Sequence, residues 1–188
     1  MATQKSQDKW KNKRWFNIYA PKVLGGEEII GEMPAADEKA AMGRIIKVSL
    51  SWITKNPNNS LMSVGLRVHK ADGNVAHTQL HYLESNYSYI HSLVRRYSSA
   101  IYTRDIVKDK DGKELTLKML VIASGHLADS KKSGIRKKLT EFVTAYSAKH
   151  TADELVKGII DGSMQAEGRK GIENIAHVNK FELKKIEF

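Results

Sequence analysis

Alternating apolar and polar positions predict three consecutive strands in the first half of the chain. Every second side chain is apolar from Ile46 to Trp52 and again from Met62 to Val68, which is the period of a strand with one buried face. A third strand is predicted over residues 75–83, directly after Asp72-Gly73, a pair that tight hairpin turns prefer. Because the connecting loops are short, we expect the three strands to form an antiparallel meander.

One helix and a second hairpin are predicted in the middle of the chain. Apolar residues at helical spacing, from Ile90 to Ile101, predict an amphipathic helix over about residues 86–100. Beyond it, Asp109-Lys110-Asp111-Gly112 has the composition of a hairpin turn between strands at residues 102–108 and 114–123. Apolar residues become continuous in the second of these strands, so we expect its end to be buried on both faces.

Two further helices are predicted after residue 125. An apolar stripe predicts a helix over about residues 131–146. Thr151 with Glu154 three residues later has the spacing of a capping box, which predicts the start of a short helix that Gly162 closes.

The chain ends with a weaker helix, interrupted by Gly168, and a strand predicted over residues 178–188. The apolar side chains of this strand change from one face to the other after Leu183. A β-bulge near Lys184 and Lys185 reconciles the two sets, because one extra residue restores the inward alternation.

Two interpretations of the N-terminal stretch Lys9–Pro21 remain open. Phe16, Ile18 and Ala20 alternate as they would in a first strand, whereas the cations and tryptophans before them suit an arm that contacts another molecule. The two are compatible, because an arm can lead into a strand. Residues 23–43 are mainly acidic and rich in turn-forming residues, so we expect a connector there with one helical turn at residues 37–42.

Composition adds a strong preference for an anionic partner, either nucleic acid or an anionic membrane surface. The 188 residues carry a formal charge of +10 with a pI near 9.6, and 41% of them are hydrophobic. The absence of cysteine excludes disulfides, thiol chemistry and cysteine zinc sites. No apolar run approaches the roughly 18–20 residues of a membrane span, and the N-terminus lacks the apolar core of a signal peptide. We therefore expect a cytosolic protein.

The positive charge is concentrated in three clusters: the N-terminal arm, the Arg95-Arg96 pair and the first half of the helix at 131–146. Each cluster alone could be a solvated face, but cations at a helix start oppose the helix dipole, which favours a binding role. Three clusters, one of them interleaved with tryptophan, favour RNA or DNA. The candidate RNA-binding residues are Lys9, Trp10, Lys11, Lys13, Arg14, Trp15, Arg95, Arg96, Lys131, Lys132, Arg136, Lys137 and Lys138.

Motifs for catalysis or for a bound cofactor are missing from the sequence. It contains no phosphate-binding glycine loop with its lysine, no dinucleotide fingerprint and no nucleophile elbow. The 109–112 turn resembles a calcium loop, but Val107 and Lys118 stand where the first and last acidic ligands belong. His77 and His81 share a strand face without a third ligand nearby. We expect no enzyme, no cofactor and no metal site.

The motifs in order along the chain resemble one known family. The string runs through Lys9-Trp10-Lys11, Trp15-Phe16, Ala20-Pro21, Ile30-Gly31-Glu32-Met33-Pro34-Ala35 and Gly43-Arg44. Weaker matches follow at Leu93 to Ser99 with Arg95-Arg96, at Asp111-Gly112, at Ile135 to Lys138 and in the C-terminal basic strand. It resembles the small-subunit ribosomal protein family that archaea and eukaryotes share and bacteria lack, the S3Ae or eS1 type. The length is similar to that of archaeal members. Met33 and the stretch Ala176 to Asn179 depart from the family pattern.

The resemblance implies an α+β fold with a mainly antiparallel, β-barrel-like sheet, flanking helices, a basic N-terminal arm, and C-terminal helices followed by a final strand. We expect the arm at 1–21, the barrel-like domain with one inserted helix at 22–125, and helices with the last strand on the same core at 126–188. The implied function is structural: binding of small-subunit rRNA on the platform near the mRNA exit, in the cytoplasmic ribosome.

The partners that the resemblance implies are small-subunit rRNA, neighbouring platform proteins and mRNA near the exit, without a membrane or a second copy of the chain. The alternative is a free mRNA-binding translational regulator. A ribosomal protein should remain with the small subunit at moderate salt, whereas a regulator should be released.

Overall fold

Eight strands in one sheet organise the computed structural model, which describes residues 10, 13–25 and 28–188. Within these ranges the strands are β1 Arg14–Tyr19, β2 Ile29–Ala35, β3 Ile45–Ser49, β4 Met62–Asp72, β5 Val75–Ser85, β6 Ser98–Lys108, β7 Glu114–Ser124 and β8 Val178–Glu187. The helices are α1 Glu38–Ala41, α2 Leu50–Thr54, α3 Tyr87–Leu93, α4 Asp129–Ser147, α5 Ala152–Ile160 and α6 Ser163–Ile172. Short 3-10 helices span Lys22–Leu24 and Pro57–Leu61.

The strand order branches at β5. One edge of β5 pairs with β4, which in turn pairs with β3. Along its other edge, the first residues of β5 run parallel to β1 and its last residues run antiparallel to β8. β2 extends the sheet beyond β1, while β7 and β6 extend it beyond β8. The α+β class is confirmed, and the sheet is mixed and remains open instead of closing into a barrel.

The main core lies between one face of the sheet and helices α4, α5 and α6. It combines Leu66, Leu117 and Val121 of the strands with Leu139 and Ile159 of the helices. This face is called the inner face below. A second cluster joins β1 and β2 to β4 and β5; its members are Phe16, Ile18, Met33, Ala35, Ala41, Val68, Ala71 and Ala76.

On the opposite, outer face of the sheet, Ile90 of α3 packs against Leu120 and Ile122 of β7. Because α3 covers the outer face and α4 covers the inner face, the last part of β7 is buried on both sides. This confirms the burial expected from its continuous apolar run.

Several local predictions are confirmed. β3, β4 and β5 form the antiparallel meander, and the turns after Asp72 and Lys108 are both hairpins. The capping box is present: the Thr151 hydroxyl accepts a hydrogen bond from Glu154 N, and the Glu154 carboxylate accepts one from Thr151 N. The strand interpretation of the N-terminal stretch is confirmed by β1, Arg14–Tyr19, which buries Phe16 as expected.

The β-bulge is also confirmed at its expected place in β8. Lys118 of β7 is opposite Lys185, whereas the next residue, Met119, is opposite Leu183, so Lys184 is the extra residue. The bulge lets both Leu183 and Ile186 remain on the inner face, where they are buried.

The first predicted strand is too long at its C-terminal end. β3 stops at Ser49, and the next five residues form helix α2, in which the Thr54 hydroxyl bonds to the carbonyl of Leu50. Leu50 is buried, but the helix turns Trp52 away from the core and leaves it 74% exposed. The inward position predicted for Trp52 is therefore wrong, because the alternation was continued past the end of the strand.

The helix predicted over residues 86–100 is also too long. α3 ends at Leu93, and Tyr97 has a positive φ of 61°, which no α-helix interior adopts. From Ser98 onward the chain forms β6, which pairs with β7 along its whole length. Strand pairing therefore overrides the helical spacing, and Ile101 belongs to the sheet core.

Two further expectations are corrected. Residues 29–35, expected to lie in a connector, form β2; Pro34 is tolerated there because β2 is an edge strand that pairs only with β1 among the described strands. Gly168 does not interrupt α6. A Cβ at Gly168 would lie 2.4 Å from Cε1 of Phe181, so glycine there allows the helix to approach β8 closely.

Candidate nucleic-acid interface

The N-terminal cluster is described from Trp10, Lys13, Arg14 and Trp15, whereas Lys9 and Lys11 lie outside the described residues. Nζ of Lys13 is 3.7 Å from the centroid of the Trp10 ring, a cation–aromatic contact. Trp10 is 63% exposed and Trp15 is 56% exposed. Trp15 faces away from the core because Phe16, the next residue of β1, takes the inward position.

Arg95 and Arg96 were expected on a helix, but they lie in the connector between α3 and β6. The Ser98 hydroxyl fixes this connector: it donates to the carbonyl of Arg95 at 2.6 Å and accepts from the amide of Arg95 at 3.2 Å. Both arginine side chains are exposed. Arg95 borders a cavity of about 240 Å³ together with Lys180 of β8, so the fold brings these two cations together.

The third cluster is on α4 as predicted, but its cations surround the helix. Ile135, Leu139 and Val143 point into the core. At ~100° per residue, Lys131 and Lys138 then lie on one flank, Arg136 lies on the other, and Lys137 points to solvent. Lys132 lies toward the core-facing side, one turn before Ile135, and is half-buried. Asp129 forms an ion pair with Lys132 at 3.0 Å, which lowers the pKa of the Asp129 carboxyl.

Helix α4 runs along β6 on the inner face. The amide of Leu127, just before the helix, donates to the Ser99 hydroxyl at 2.9 Å, and Thr140 donates to Asp105 at 2.7 Å. The start of α4 and the Arg95-Arg96 connector therefore lie at the same end of the β6–β7 hairpin, but on opposite sides of the sheet. The start of α4 is on the inner face, whereas the connector follows α3, which packs on the outer face.

A further group of cations, which are not among the candidate RNA-binding residues of the sequence, lies on the outer face of β6, β7 and β8. Arg104 is paired with Lys118, and Lys118 is paired with Lys185. Glu187 accepts hydrogen bonds from Lys185 at 2.8 Å and from Lys118 at 3.0 Å. The hydrogen bond from Lys185 has the larger effect and that from Lys118 the smaller, and together they lower the pKa of Glu187 to about 2. The carboxylate of Glu187 in turn raises the pKa of Lys185.

Tyrosine rings accompany the lysines of β8. Nζ of Lys185 is 4.4 Å from the ring centroid of Tyr82, and Nζ of Lys184 is 5.4 Å from that of Tyr102. The signals in the sequence for this group were the strand alternation along β6, β7 and β8 and the basic C-terminal strand. The bulge at Lys184 disturbs the alternation.

A cavity of about 540 Å³ opens between β4, β5 and the start of α5. Its walls mix cations such as Arg67 and Lys113 with the carboxylates of Glu114 and Asp153. Within the part of the chain that the structure describes, no group of three or more His, Asp or Glu side chains is placed to hold a metal ion. In the same residues, no helix is both long enough and apolar enough to cross a membrane.

Comparisons with known proteins agree on one family. Residues 1–188 match the sequence model of the Ribosomal S3Ae family. The small ribosomal subunit protein eS1 of Pyrobaculum arsenaticum is 31% identical over 185 residues, which cover 98% of this chain and 84% of the relative. The eS1 proteins of Pyrobaculum calidifontis and Thermoplasma acidophilum are 33% and 31% identical over 96% and 99% of this chain, and over 81% and 86% of their own lengths.

Proposed function

The chain belongs to the Ribosomal S3Ae family, and from this premise we propose that it binds small-subunit rRNA through its exposed cations and aromatic rings. Its role is that of a structural component of the small ribosomal subunit in the cytoplasm, and it is not an enzyme. The family match over the whole chain is the observation that carries this function.

The distribution of charge supports RNA as the direct partner. The chain has a formal charge of +10, and Arg95, Arg96, Arg136, Lys137 and Lys138 are all exposed. Cations of this kind contact phosphates without reading sequence, which suits a protein that stabilises a folded RNA. Because the clusters lie on several sides of the sheet, the protein would contact more than one RNA segment.

The N-terminal arm is the part that we propose to contact RNA away from the sheet. Arg14 and Trp15 begin β1, while Lys13 and Trp10 precede it and form their own cation–aromatic pair. Lys9 and Lys11 would extend the same basic stretch. In this division Lys9 to Arg14 bind RNA, and Trp15 to Ala20 attach them to the fold.

The location and the neighbours are a finer part of the proposal. The family resemblance of the sequence motifs supports binding on the platform near the mRNA exit, beside other platform proteins and mRNA. Cross-linking of assembled subunits followed by identification of the joined RNA and proteins tests this location. Cross-links confined to rRNA and proteins of another region of the subunit would exclude it.

Sedimentation tests the function itself. A tagged copy of the chain should travel with the small subunit through a sucrose gradient at moderate salt, and it should be absent from the free protein fraction. A free mRNA-binding regulator would be released under the same conditions. Isolated chain bound to small-subunit rRNA should lose roughly 10³- to 10⁵-fold in affinity between 50 and 200 mM salt if it makes six to ten phosphate contacts.

The contribution of α4 can be measured with a matched pair of variants. Replacing Arg136, Lys137 and Lys138 by glutamine should lower the slope of log affinity against log salt by about 2, since each phosphate contact contributes about 0.7 to 0.9. The control replaces three exposed lysines outside the clusters, Lys39, Lys149 and Lys157, and should change the slope by less than about 1. Equal slopes for the two variants would show that these α4 cations do not contact the RNA.

A further inference from the structure

Three cations stand side by side across the outer face of the sheet. Arg104 of β6, Lys118 of β7 and Lys185 of β8 occupy directly paired positions, so they form one row perpendicular to the strands. Paired side chains on one face of a sheet have Cβ atoms about 5 Å apart, and like charges placed there destabilise the sheet. A row of this kind therefore needs either compensating carboxylates or an anionic partner.

Carboxylates compensate only one end of this row. Glu187 binds Lys185 and Lys118, and Glu84 of β5 lies 4.0 Å from Lys185. Among the described residues, no carboxylate lies within ion-pair distance of Arg104 or of Lys184. The carboxylates thus hold two of the ammonium groups in place, while the end of the row at β6 keeps its positive charge.

Aromatic rings lie on both sides of the row. Tyr82 is in the neighbouring row on β5, opposite Glu187, and Tyr102 is 48% exposed two residues before Arg104. Each ring already has a lysine of β8 over it, Lys185 at 4.4 Å and Lys184 at 5.4 Å. A protein surface that offers flat rings beside fixed cations can stack bases and hold the phosphates that join them.

We propose that this outer face, formed by Tyr82, Tyr102, Arg104, Lys118, Lys184 and Lys185, binds an RNA segment with unstacked bases. The proposal rests on the proposed function and adds a site to it that the basic clusters of the sequence do not include. Tyr102 stacks a base at the open edge of the sheet, and the row of cations holds the backbone that crosses the strands. Charge complementarity selects RNA over an apolar protein partner.

Cross-linking from Tyr102 in assembled subunits tests the occupant directly. The chain with benzoylphenylalanine at position 102 is expressed in cells, small subunits are purified, and the joined species is identified after irradiation. A cross-link to rRNA is expected. A cross-link to a neighbouring protein alone would overturn the proposal, as would the absence of any cross-link in subunits that contain the chain.

Binding of two RNA probes tests the chemistry. The full chain is titrated with a fluorescent 20-nucleotide single-stranded RNA of mixed sequence and with a blunt duplex of the same length. Tyr102→Leu should weaken binding of the single strand by about 5- to 150-fold, the value of one stacked base, whereas Tyr102→Phe should retain it. Equal losses for the two variants, or equal losses on the two RNAs, would exclude base stacking.

The cations of the outer face are tested with the triple variant Arg104→Gln, Lys118→Gln, Lys184→Gln. Its salt slope on the single strand should fall by about 2, because each cation that binds a phosphate contributes about 0.7 to the slope. The control triple at Lys39, Lys149 and Lys157 should change the slope by less than about 1. If loss of the Lys118 ion pair impairs folding, Arg104→Gln with Lys184→Gln, both at exposed positions, should still lower the slope by more than about 1.

The two levels of the proposal fail in different ways. If the outer-face variants bind and assemble like the wild type while Lys13→Gln with Arg14→Gln does not, the outer-face site is excluded and rRNA binding stands. If the wild-type chain does not sediment with the small subunit at all, the proposed function itself is excluded.

Discussion

Gly65 of β4 and Tyr82 of β5 are paired across the sheet, and the tyrosine ring occupies the space above the glycine. A Cβ at Gly65 would lie 2.1 Å from Cε1 of Tyr82, far inside van der Waals contact. Glycine at position 65 therefore allows the ring to lie across β4. Because Lys185 sits over the same ring, this one backbone position also supports the outer face.

We expect Gly65→Ala to destabilise the fold by about 1–3 kcal/mol, the usual cost of overpacking. The added methyl group must displace the ring of Tyr82, which then moves away from Lys185. Urea unfolding measures the change in the free energy of unfolding. In a Tyr82→Ala background the same substitution should cost much less, because the clashing ring is gone.

Gly31 provides the control for this prediction. It is also a strand glycine, in β2, but no atom lies within 4 Å of a Cβ placed there. Gly31→Ala should leave stability unchanged or raise it by up to about 1 kcal/mol, since alanine loses less backbone entropy on folding. Similar losses at both positions would show that the Tyr82 ring is not responsible.

Gly168 and Gly171 form a matched pair within helix α6. A Cβ at Gly168 would lie 2.4 Å from Phe181 and 3.0 Å from Phe142, whereas nothing lies within 4 Å at Gly171. Gly168→Ala should therefore lower the free energy of unfolding by about 1–3 kcal/mol. Gly171→Ala should raise it by roughly 0.5–1 kcal/mol through helix propensity. If both substitutions stabilise the protein, the close packing of α6 on β8 does not prevent a methyl group at position 168.

Local patterns in the sequence were sufficient for the elements that local rules determine. The hairpin after Asp72, the capping box at Thr151 and the bulge at Lys184 all depend on residues within a few positions of one another. The end of α3 and the existence of β2 do not. Tyr97 leaves the helical conformation because the following residues pair with β7, and Pro34 is accepted in a strand because nothing needs its amide at the edge.

The same distinction applies to the candidate site. Runs of cations are visible in the sequence, so the α4 cluster could be located before the fold was known. Arg104, Lys118 and Lys185 are far apart along the chain and become neighbours only through the register of three strands. A bulge in one of those strands decides which lysine joins the row, and no periodicity in the sequence specifies the partner strand.

The N-terminal division predicts separate effects on folding and binding. Deletion of residues 2–13 leaves β1 complete, including Phe16 and Ile18, which are 1% and 3% exposed. The melting temperature should then change little, while affinity for small-subunit rRNA and its salt slope should fall because the basic arm is removed. Thermal denaturation and fluorescence titration of the same preparation measure the two effects.

Phe16→Ala in the full chain is the opposite control. It keeps every cation of the arm but empties a buried site, which should cost about 3–5 kcal/mol of stability. Below its melting temperature, this variant should keep the salt slope of the wild type. Unfolding of the truncated chain would contradict the division at Arg14, because residues before β1 would then be required by the fold.

The ion pairs of Glu187 predict a stability change in acid. The pKa of Glu187 is lowered from its ordinary value of 4.5 to about 2 by the hydrogen bonds from Lys185 and Lys118. The folded state therefore favours the charged carboxylate more than the unfolded state does. Its contribution is complete above about pH 4.5 and is lost as the pH falls toward 2.

Glu187→Gln should therefore lower the free energy of unfolding at pH 7 by about 1 kcal/mol, a value reduced for partial exposure of the carboxylate. The difference from the wild type should disappear between pH 4.5 and 2, the two pKa values of the group. Urea unfolding at several pH values measures it. Glu114→Gln removes an exposed carboxylate 3.7 Å from Lys108 and should change stability by less than about 0.5 kcal/mol at pH 7. A pH-independent difference for Glu187→Gln would mean that packing of the side chain, and not its charge, stabilises this part of the sheet.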